Sequence, residues 1–553
     1  MRRINRAYGL VAVCLMLLPA SPCALALDVA TPYVHPETFW SHGYTGTGIE
    51  VGVLDLQMAQ YTHPALADGF RGAINFSKPP ALVSNHATAV AGAALSRNAT
   101  CRGVAPGAGF WTGQTATRRN TTTFRTETVA AETFGQGLDD LAGNPVEVIT
   151  LSIGVDGNTT GDDQWSLALD HVADTNARTI TIAAGNSGPG YDSLDGPPAG
   201  AYNAIVVGAT GDDLTDYSHM ASYSSRGYTS NGRCKPDLVA PGTNLILPIL
   251  GGAWGEGSGT SFATPMVAGG AAMLIDMGQD LGYATDSRVI KSVLLNSADK
   301  LDGWSHTGTH PLDRGQGAGQ MNLRKAYRQY QFGEKTAGDV SGIGWDLAQV
   351  SAGIEQTYDL DLALPAGAAI TATLTWNRIV STNTEDIDEV IYSLHHLANL
   401  DLHLYDQANP LSPLVSSASA VDNVEHIYYT VAGGGQFRLG VENTGPWSNE
   451  LFSLSWWVAP AEGLDFPGDA NLDGVVNVGD LGILAGGWGA SDRTWFEGDF
   501  NLDGLVDVGD LGMLAGNWGL PAPPGYAAVP EPLTAMLMLL GLAALLRRAD
   551  RVG

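Results

Sequence analysis

Positively charged residues are scarce in this chain of 553 residues. It contains 28 Lys and Arg against 57 Asp and Glu, which gives a formal net charge of −29. This composition argues against nucleic acid as a partner, because no continuous basic segment is present to neutralise phosphates. The excess of carboxylates instead suits an exported protein that binds cations such as Ca²⁺.

Cysteines are also few. The chain has 4 cysteines, and two of them, Cys14 and Cys23, fall in an N-terminal segment that we expect to be removed. The other two, Cys101 and Cys234, could pair in an oxidising compartment or stay reduced, since sequence gives no geometry. Hydrophobic content of 44% with 15% charged residues fits a folded protein of several domains.

The N-terminus has the pattern of a signal peptide. Three arginines within the first six residues precede the apolar run Leu10–Leu18, and Ala24-Leu25-Ala26 offers a small-residue cleavage site. Residues 1–26 are therefore predicted to direct export, to the cell surface or the extracellular medium.

Two pattern changes divide the rest of the chain. From about Gly48 to Tyr327, apolar strand-like runs alternate with helical segments, which predicts an α/β domain with a largely parallel sheet. From 341 to 460, short segments alternate with period two between turns, which predicts a β-sandwich that resembles a jelly-roll domain. The predicted α/β strands are 49–54, 146–151, 178–183 and 204–208, and the helices are Ala87–Leu95, Thr128–Leu141 and Gln164–Asn176.

The stretch Gly257–Gly270 is the strongest candidate for a functional site. A glycine-rich turn precedes Ser261 at the expected start of a buried helix, and Pro265 is predicted to lie in the first turn. A nucleophilic serine needs a base and a group that orients it. Candidates are Asp55 at a strand end, His86 before a small-residue helix, and Asn186 after a strand, each of which has an ordinary structural interpretation when taken alone.

The order of these residues resembles that of the subtilisin-like serine peptidases. The serine motif Gly259-Thr260-Ser261-x-Ala263-Thr264-Pro265 matches in full, as do Ala184-Gly185-Asn186, Gly103–Pro106 and Lys235–Gly242. Two departures occur: Leu56-Gln57 replace the usual Ser/Thr-Gly after the aspartate, and Ala87 and Ala89 replace a Gly and a His. The resemblance assigns residues 27–335 to a peptidase domain.

The resemblance implies an acyl-transfer mechanism on polypeptide substrates. His86 would act as the base, Asp55 would orient it, and Asn186 with the backbone N–H of Ser261 would hold the oxyanion. An extended substrate would pair with one edge and place a side chain in a pocket. The resemblance assigns this edge and pocket to Ser152, Ile153, Gly154, Ala183, Ala184 and Gly185.

An internal repeat between residues 466 and 520 has the spacing of Ca²⁺ loops. Each copy places oxygen-bearing residues at positions 1, 3, 5, 9 and 12, glycine at 6 and a backbone carbonyl at 7. One short helix is predicted after each loop, Leu481–Trp488 and Leu511–Trp518, which resembles a dockerin and implies a cohesin-type partner. A Ca²⁺-stiffened spacer before the tail is the alternative. The candidate ligands are Asp469, Asn471, Asp473, Val475, Asn477 and Asp480 in loop 1, and Asp499, Asn501, Asp503, Leu505, Asp507 and Asp510 in loop 2.

The tail, residues 521–553, resembles a PEP-CTERM sorting signal. Val529-Pro530-Glu531-Pro532 precede the apolar run Leu533–Leu546, and arginines follow. The apolar run is shorter than the roughly 20 residues that span a bilayer. The resemblance implies a processing enzyme that removes the tail after a transient or anchored membrane association. An ordinary transmembrane tail anchor is the alternative.

The leading interpretation is an exported serine endopeptidase. The alternatives are a non-catalytic binding or adhesion protein on an inactive scaffold, and a cohesin-docked component of an extracellular complex. The segment between Ala26 and Gly48 is shorter than the globular inhibitory propeptide typical of such peptidases, so folding without that helper is expected.

Overall fold

A computed structural model of the protein describes residues 30–75, 82–119, 126–128, 137–138, 141, 143–154, 157, 159–212, 216–386, 389–461 and 465–520. The expected signal peptide, the sorting tail and most of the predicted helix Thr128–Leu141 lie outside these residues. Within the described ranges, no helix has the length and apolar character needed to cross a bilayer. The run Leu533–Leu546 falls outside them.

A parallel sheet forms the centre of the first half of the chain. The strands of this half are β1 (Glu50–Asp55), β2 (Phe70–Asn75), β3 (Gly109–Gln114), β4 (Ala116–Arg119), β5 (Thr126–Thr128), β6 (Val148–Leu151), β7 (Thr179–Ala183), β8 (Ile205–Thr210), β9 (Gly227–Tyr228), β10 (Cys234–Lys235), β11 (Leu238–Pro241), β12 (Leu245–Ile249) and β13 (Ala253–Gly257). Among the described residues, seven strands pair in parallel in the order β11-β8-β7-β6-β1-β3-β2. The predicted parallel α/β domain is confirmed.

The first half of the described chain also contains helices, several of which pack against this sheet. They are α1 (Glu37–Ser41), α2 (Asn85–Leu95), α3 (Gln164–Thr175), α4 (Thr260–Leu281), α5 (Ser287–Asn296) and α6 (Leu323–Gln331). The longest, α4, packs against α2 and against β6, β7 and β8. Its small residues permit that closeness: a Cβ added at Gly269 would lie 2.7 Å from Cβ of Val104. This helix therefore brings its N-terminus to the edge where the parallel strands end.

Sequence periodicity did not identify β2 and β3. Both strands interrupt their apolar positions with Gly or with a charged residue such as Arg71. They pair with each other, and β3 also pairs with β1, so the neighbouring strands select the extended conformation that the local pattern leaves undecided.

The second half of the described chain is rich in β-structure. Its strands are β14 (Gly338–Val340), β15 (Ile343–Val350), β16 (Glu355–Leu360), β17 (Ala368–Trp376), β18 (Ile379–Asp386), β19 (Glu389–His396), β20 (Leu400–Asp406), β21 (Val415–Ser417), β22 (Val424–Thr430), β23 (Phe437–Asn443) and β24 (Glu450–Pro460). A five-stranded sheet, β14-β16-β23-β20-β21, and a four-stranded sheet, β15-β24-β17-β22, contribute buried residues such as Leu402, Leu439 and Leu454 to one core. The predicted β-rich region is present.

Helix α5 joins the two halves. The Ser292 hydroxyl on α5 lies 2.9 Å from the hydroxyls of both Ser453 and Ser455 on β24. Thr373 on β17 donates to the side chain of Asn296 over 3.0 Å. These groups are buried, so their pairing removes the cost of burying unpaired hydroxyls at this junction.

The repeat region has two short helices, α7 (Val478–Gly487) and α8 (Val508–Asn517). They begin earlier than predicted, at capping boxes in which Asn477 and Asp507 cap the first turns. Apolar side chains of this region, including Leu484, Phe496 and Phe500, belong to the same core cluster as the sandwich. The repeat region is therefore packed onto the sandwich.

The state of Cys234 decides whether Cys101 and Cys234 form a disulfide. Its thiol is free and buried, so this cysteine does not bond to Cys101. Burial raises the pKa of the Cys234 thiol, which keeps it in the unreactive protonated form.

Candidate active site

Asp55 is the last residue of β1, at the edge where the parallel strands end. It is 3% exposed, and its Oδ1 accepts the Leu56 N–H over 2.6 Å. Its Oδ2 lies 2.6 Å from Nδ1 of His86. The unusual residue after the aspartate, Leu56, thus fixes the carboxylate through its backbone, which does not depend on the type of side chain.

His86 is the second residue of α2. Ser84 caps this helix by accepting the Ala87 N–H over 3.0 Å. The His86 side chain is 42% exposed, whereas the methyl group of Ala87 is completely buried. Ala87 therefore sits in the helix packing without separating His86 from Asp55.

The ionic environment of His86 raises its pKa above the ordinary value of 6.5. Although part of the side chain is exposed, desolvation of the ring by the surrounding protein is the largest single influence and lowers the pKa. The charge of Asp55 and the hydrogen bond to it together outweigh this desolvation. Because a carboxylate only accepts, Nδ1 carries the proton, and Nε2 of neutral His86 is left as a proton acceptor.

Ser261 is the second residue of α4, as the glycine-rich turn predicted. The ring of the following residue, Phe262, lies 5.6 Å from the ring of His86. At this position the Ser261 N–H has no intrahelical partner and lies at the positive end of the helix dipole.

The prediction for Pro265 was wrong. The helix begins at Thr260, so Pro265 is not in the first turn but inside the helix. Proline lacks the N–H that would bond to the carbonyl four residues earlier, which belongs to Ser261. Ser152 replaces that bond, because its Oγ donates to the Ser261 carbonyl over 2.8 Å.

Asn186 follows β7 and faces the start of α4. Its Oδ1 accepts from the N–H of Thr260 over 2.9 Å and from the Thr260 hydroxyl over 3.2 Å. The oxygen is therefore committed to Thr260, and the Nδ2 group is the donor that remains for an oxyanion. Sequence reasoning missed this positioning role of Thr260, although its place directly before the serine was a signal.

The expected substrate-binding residues lie on two neighbouring segments at the edge where the parallel strands end. Ser152, Ile153 and Gly154 follow β6, while Ala183 ends β7 and Ala184 and Gly185 follow it. Asp195 lies between these segments: a Cβ added at Gly154 would lie 3.1 Å from its Oδ2, and one at Gly185 would lie 2.1 Å from its Cγ. Its N–H donates to the Ala184 carbonyl over 3.0 Å. No local pattern pointed to Asp195, because a loop carries it there.

The subtilase family model matches residues 46–319, which contain all of these side chains. The serine protease AprX of Bacillus subtilis is 31% identical over 300 residues, a match that covers 50% of this chain and 67% of AprX. The chain belongs to the subtilase family. Subtilisin of Bacillus pumilus is 31% identical over 261 residues, covering 45% of this chain and 82% of that protein.

Coverage is smaller for a longer relative. Pyrolysin of Pyrococcus furiosus is 33% identical over 220 residues, and the match covers 35% of this chain and 16% of pyrolysin. The shared part in each case amounts to about half of this chain or less. The family model ends at residue 319, before the sandwich and the repeats of this subtilase.

The candidate Ca²⁺ loops lie apart from this site, in the repeat region. No group of three or more His, Cys, Asp or Glu side chains in the described ranges is arranged as a metal centre. The donor chemistry nevertheless fits Ca²⁺, since the Asp and Asn side chains offer oxygen and Val475 and Leu505 offer backbone carbonyls. In loop 1, Asp469 and Asp480 are completely buried; burial raises the pKa of Asp480, and the charge of Asp469 raises it further.

Two carboxylates in each loop are already held by backbone N–H groups. Asp469 accepts from Asp473 and Gly474, and Asp480 accepts from Ala470, Asn471 and Asn477. Loop 2 repeats the pattern around its own first and twelfth positions. The backbone therefore holds both loops in a closed turn with carboxylates facing inward.

Proposed function

We propose that this subtilase is an exported serine endopeptidase that uses an Asp55–His86–Ser261 triad with Asn186 as an oxyanion donor. The observation that carries the proposal is the 2.6 Å contact between His86 Nδ1 and Asp55 Oδ2. It orients the ring and leaves Nε2 as the base, on the same edge of the sheet as the start of α4.

The mechanism follows from the roles of these groups. Nε2 of His86 takes the proton from Ser261 Oγ as the oxygen attacks a peptide carbonyl, and the buried Asp55 stabilises the imidazolium that forms. The N–H of Ser261 and Nδ2 of Asn186 donate to the oxyanion. His86 then returns the proton to the leaving amine, and water hydrolyses the acyl-enzyme by the reverse sequence of proton transfers.

A fluorophosphonate probe tests this function directly. We expect the folded protein to form a covalent adduct, because the probe requires a serine activated by a neighbouring base. Mass spectrometry of the digested protein should place the adduct on the peptide that contains Ser261, and heat-denatured protein serves as the control. Folded protein without an adduct would favour the non-catalytic scaffold instead.

We further propose that the substrate pocket favours a positively charged residue before the scissile bond. The support is that Asp195 places a carboxylate between glycines of the two segments that the subtilase resemblance assigns to the substrate. We expect Asp195→Asn to lower the ratio of kcat/KM for Arg over Leu peptides by about tenfold, which equals ~1.4 kcal/mol between transition states.

Asp192→Asn is the matched control for the pocket. Asp192 lies in the same loop, but its side chain is 58% exposed and pairs with Arg314 over 2.8 Å. We expect this variant to retain the preference of the wild type. An active enzyme whose Arg-to-Leu ratio is insensitive to Asp195 would refute the pocket assignment while leaving the peptidase function intact.

The remaining parts of the chain complete the proposal. We propose that residues 1–26 direct export, that the two loops bind Ca²⁺ as a dockerin-like module with a cohesin-type partner, and that residues 521–553 form a sorting tail removed by a processing enzyme. Support comes from the sequence patterns and, for the loops, from the inward-facing carboxylates. A catalytic domain fixed to a scaffold in this way would act on polypeptides at the cell surface.

A further inference from the structure

Loop 2, residues Asp499 to Asp510, holds an arginine from the catalytic half of the chain. Arg328 lies near the end of α6, and its side chain is 3% exposed. Its Nη2 donates to Oδ2 of Asp499, which is completely buried, and to the carbonyl oxygen of Arg493 over 3.2 Å. Asp499 is the first residue of the candidate Ca²⁺ loop, so the guanidinium contacts a group that the ion would need.

Further carboxylates of the loop act on the same guanidinium. Burial lowers the pKa of Arg328, and the charges of Asp499, Asp503 and Asp510 oppose that effect. Loop 2 also has aspartate at position 507, where loop 1 has Asn477. It therefore carries one more carboxylate than loop 1, and a single guanidinium neutralises only part of its charge.

The arginine is incompletely satisfied in this position. Its Nε and Nη1 are buried and have no hydrogen-bond partner among the described residues. The guanidinium carbon lies 5.5 Å from the ring of Trp457 and 5.7 Å from that of Phe332, so apolar groups surround much of it. Buried donors without acceptors weaken the net stability of such a contact.

Loop 2 also makes the apolar and backbone contacts of the same interface. Leu502 packs against the cluster of Phe332, Ile343 and Trp457, next to Arg328. Gln331, at the end of α6, donates to the Asp503 carbonyl over 3.3 Å. The loop that would bind the ion is thus also the surface that contacts α6 and the sandwich.

We propose that loop 2 is a guanidinium-binding site for Arg328, and that Ca²⁺ and Arg328 compete for it. Two cations held close to the same buried carboxylate repel each other, so each weakens the binding of the other. Ca²⁺ at loop 2 therefore weakens the contact between the repeat region and α6, where Leu502 and Gln331 remain in place. The competition rests on the proposed Ca²⁺ role of the loops, whereas the arginine contact does not.

Calcium titration of the full chain tests the competition, with Ser261→Ala in every sample to prevent self-cleavage. The variant Arg328→Met keeps an unbranched apolar chain beside Trp457. We expect it to raise the affinity of one Ca²⁺ site, measured by calorimetry, by about tenfold. An arginine that occupies the loop in about 90% of the molecules would weaken Ca²⁺ binding by that factor. Arg324→Met is the control, since Arg324 lies on the same helix and is 57% exposed.

Amide hydrogen exchange, measured with and without Ca²⁺, tests the competition without a substitution at Arg328. We expect Ca²⁺ to slow exchange in loop 2 and to accelerate it in the last turn of α6. Equal affinities in the Arg328→Met and Arg324→Met chains, or a protected loop 2 with α6 unchanged, would overturn the competition. Absence of Ca²⁺ binding in every variant would overturn it together with the proposed metal role.

Discussion

Replacing Ser261 by alanine is expected to lower kcat by on the order of 10⁶-fold, the size of the loss when subtilisin itself is deprived of its nucleophile. The change removes the only atom that attacks the carbonyl in the proposed mechanism. KM should stay within a few-fold, because the flanking segments and the Asn186–Thr260 contact do not involve the Ser261 hydroxyl. Steady-state hydrolysis of a chromogenic peptide measures both constants.

Ser258→Ala is the matched control for this experiment. Ser258 lies in the same glycine-rich turn and is exposed, and its hydroxyl contacts Asn244, accepting the backbone N–H over 2.9 Å and donating to the side chain over 3.2 Å. We expect its activity to stay within a few-fold of wild type. A Ser261→Ala enzyme with substantial residual turnover, after contaminating peptidase is ruled out with the fluorophosphonate probe, would show that another nucleophile acts.

The parts of the site that could be predicted are those set by local pattern. Asp55 at a strand end, and His86 and Ser261 near helix starts, follow from apolar periodicity and from small residues next to a glycine-rich turn. These features depend on a few neighbouring residues. The sequence could therefore place each group on the correct element before any contact was known.

The positioning contacts could not be predicted, because they join distant residues. The Ser152 hydroxyl donates to the Ser261 carbonyl, which has no helical donor because Pro265 lies inside α4 and lacks an N–H. The buried pair of Arg378 and Asp170, which links the sandwich to α3, joins residues 208 positions apart. Arg328 and Asp499 are 171 positions apart. Such pairs are set by how the domains pack, and no local periodicity encodes them.

The two long-range arginine pairs have a common consequence. Each buries a cation against an aspartate from a different part of the chain, so removing one partner leaves an uncompensated charge in the interior. The sandwich is fixed to α3 by Arg378, which bonds to Asp170, to Asp162 and to the Gly161 carbonyl. Arg328 has fewer acceptors, which agrees with the proposal that an ion competes for its carboxylate partner.

Asp55→Asn is expected to lower kcat/KM by about 10⁴-fold. It should also move the acidic limb of the profile of kcat/KM against pH to lower pH. The asparagine can present an N–H to the ring, which would favour the wrong tautomer of His86 and leave Nε2 protonated. The base works only when neutral. Since Asp55 raises the pKa of His86, activity of the wild type should fall as pH drops through a value above 6.5.

The shift in pH follows from the balance of influences on His86. Without the carboxylate, burial remains and lowers the pKa, so the residual activity should persist to more acidic pH than in the wild type. Asp280→Asn removes one negative charge near the far end of α4 and should leave the profile unchanged. If Asp55→Asn and the wild type have the same profile of kcat/KM against pH, then His86 is not the titrating base. In that case Asp55, the charged partner of His86, would have no influence on the group whose protonation limits the rate.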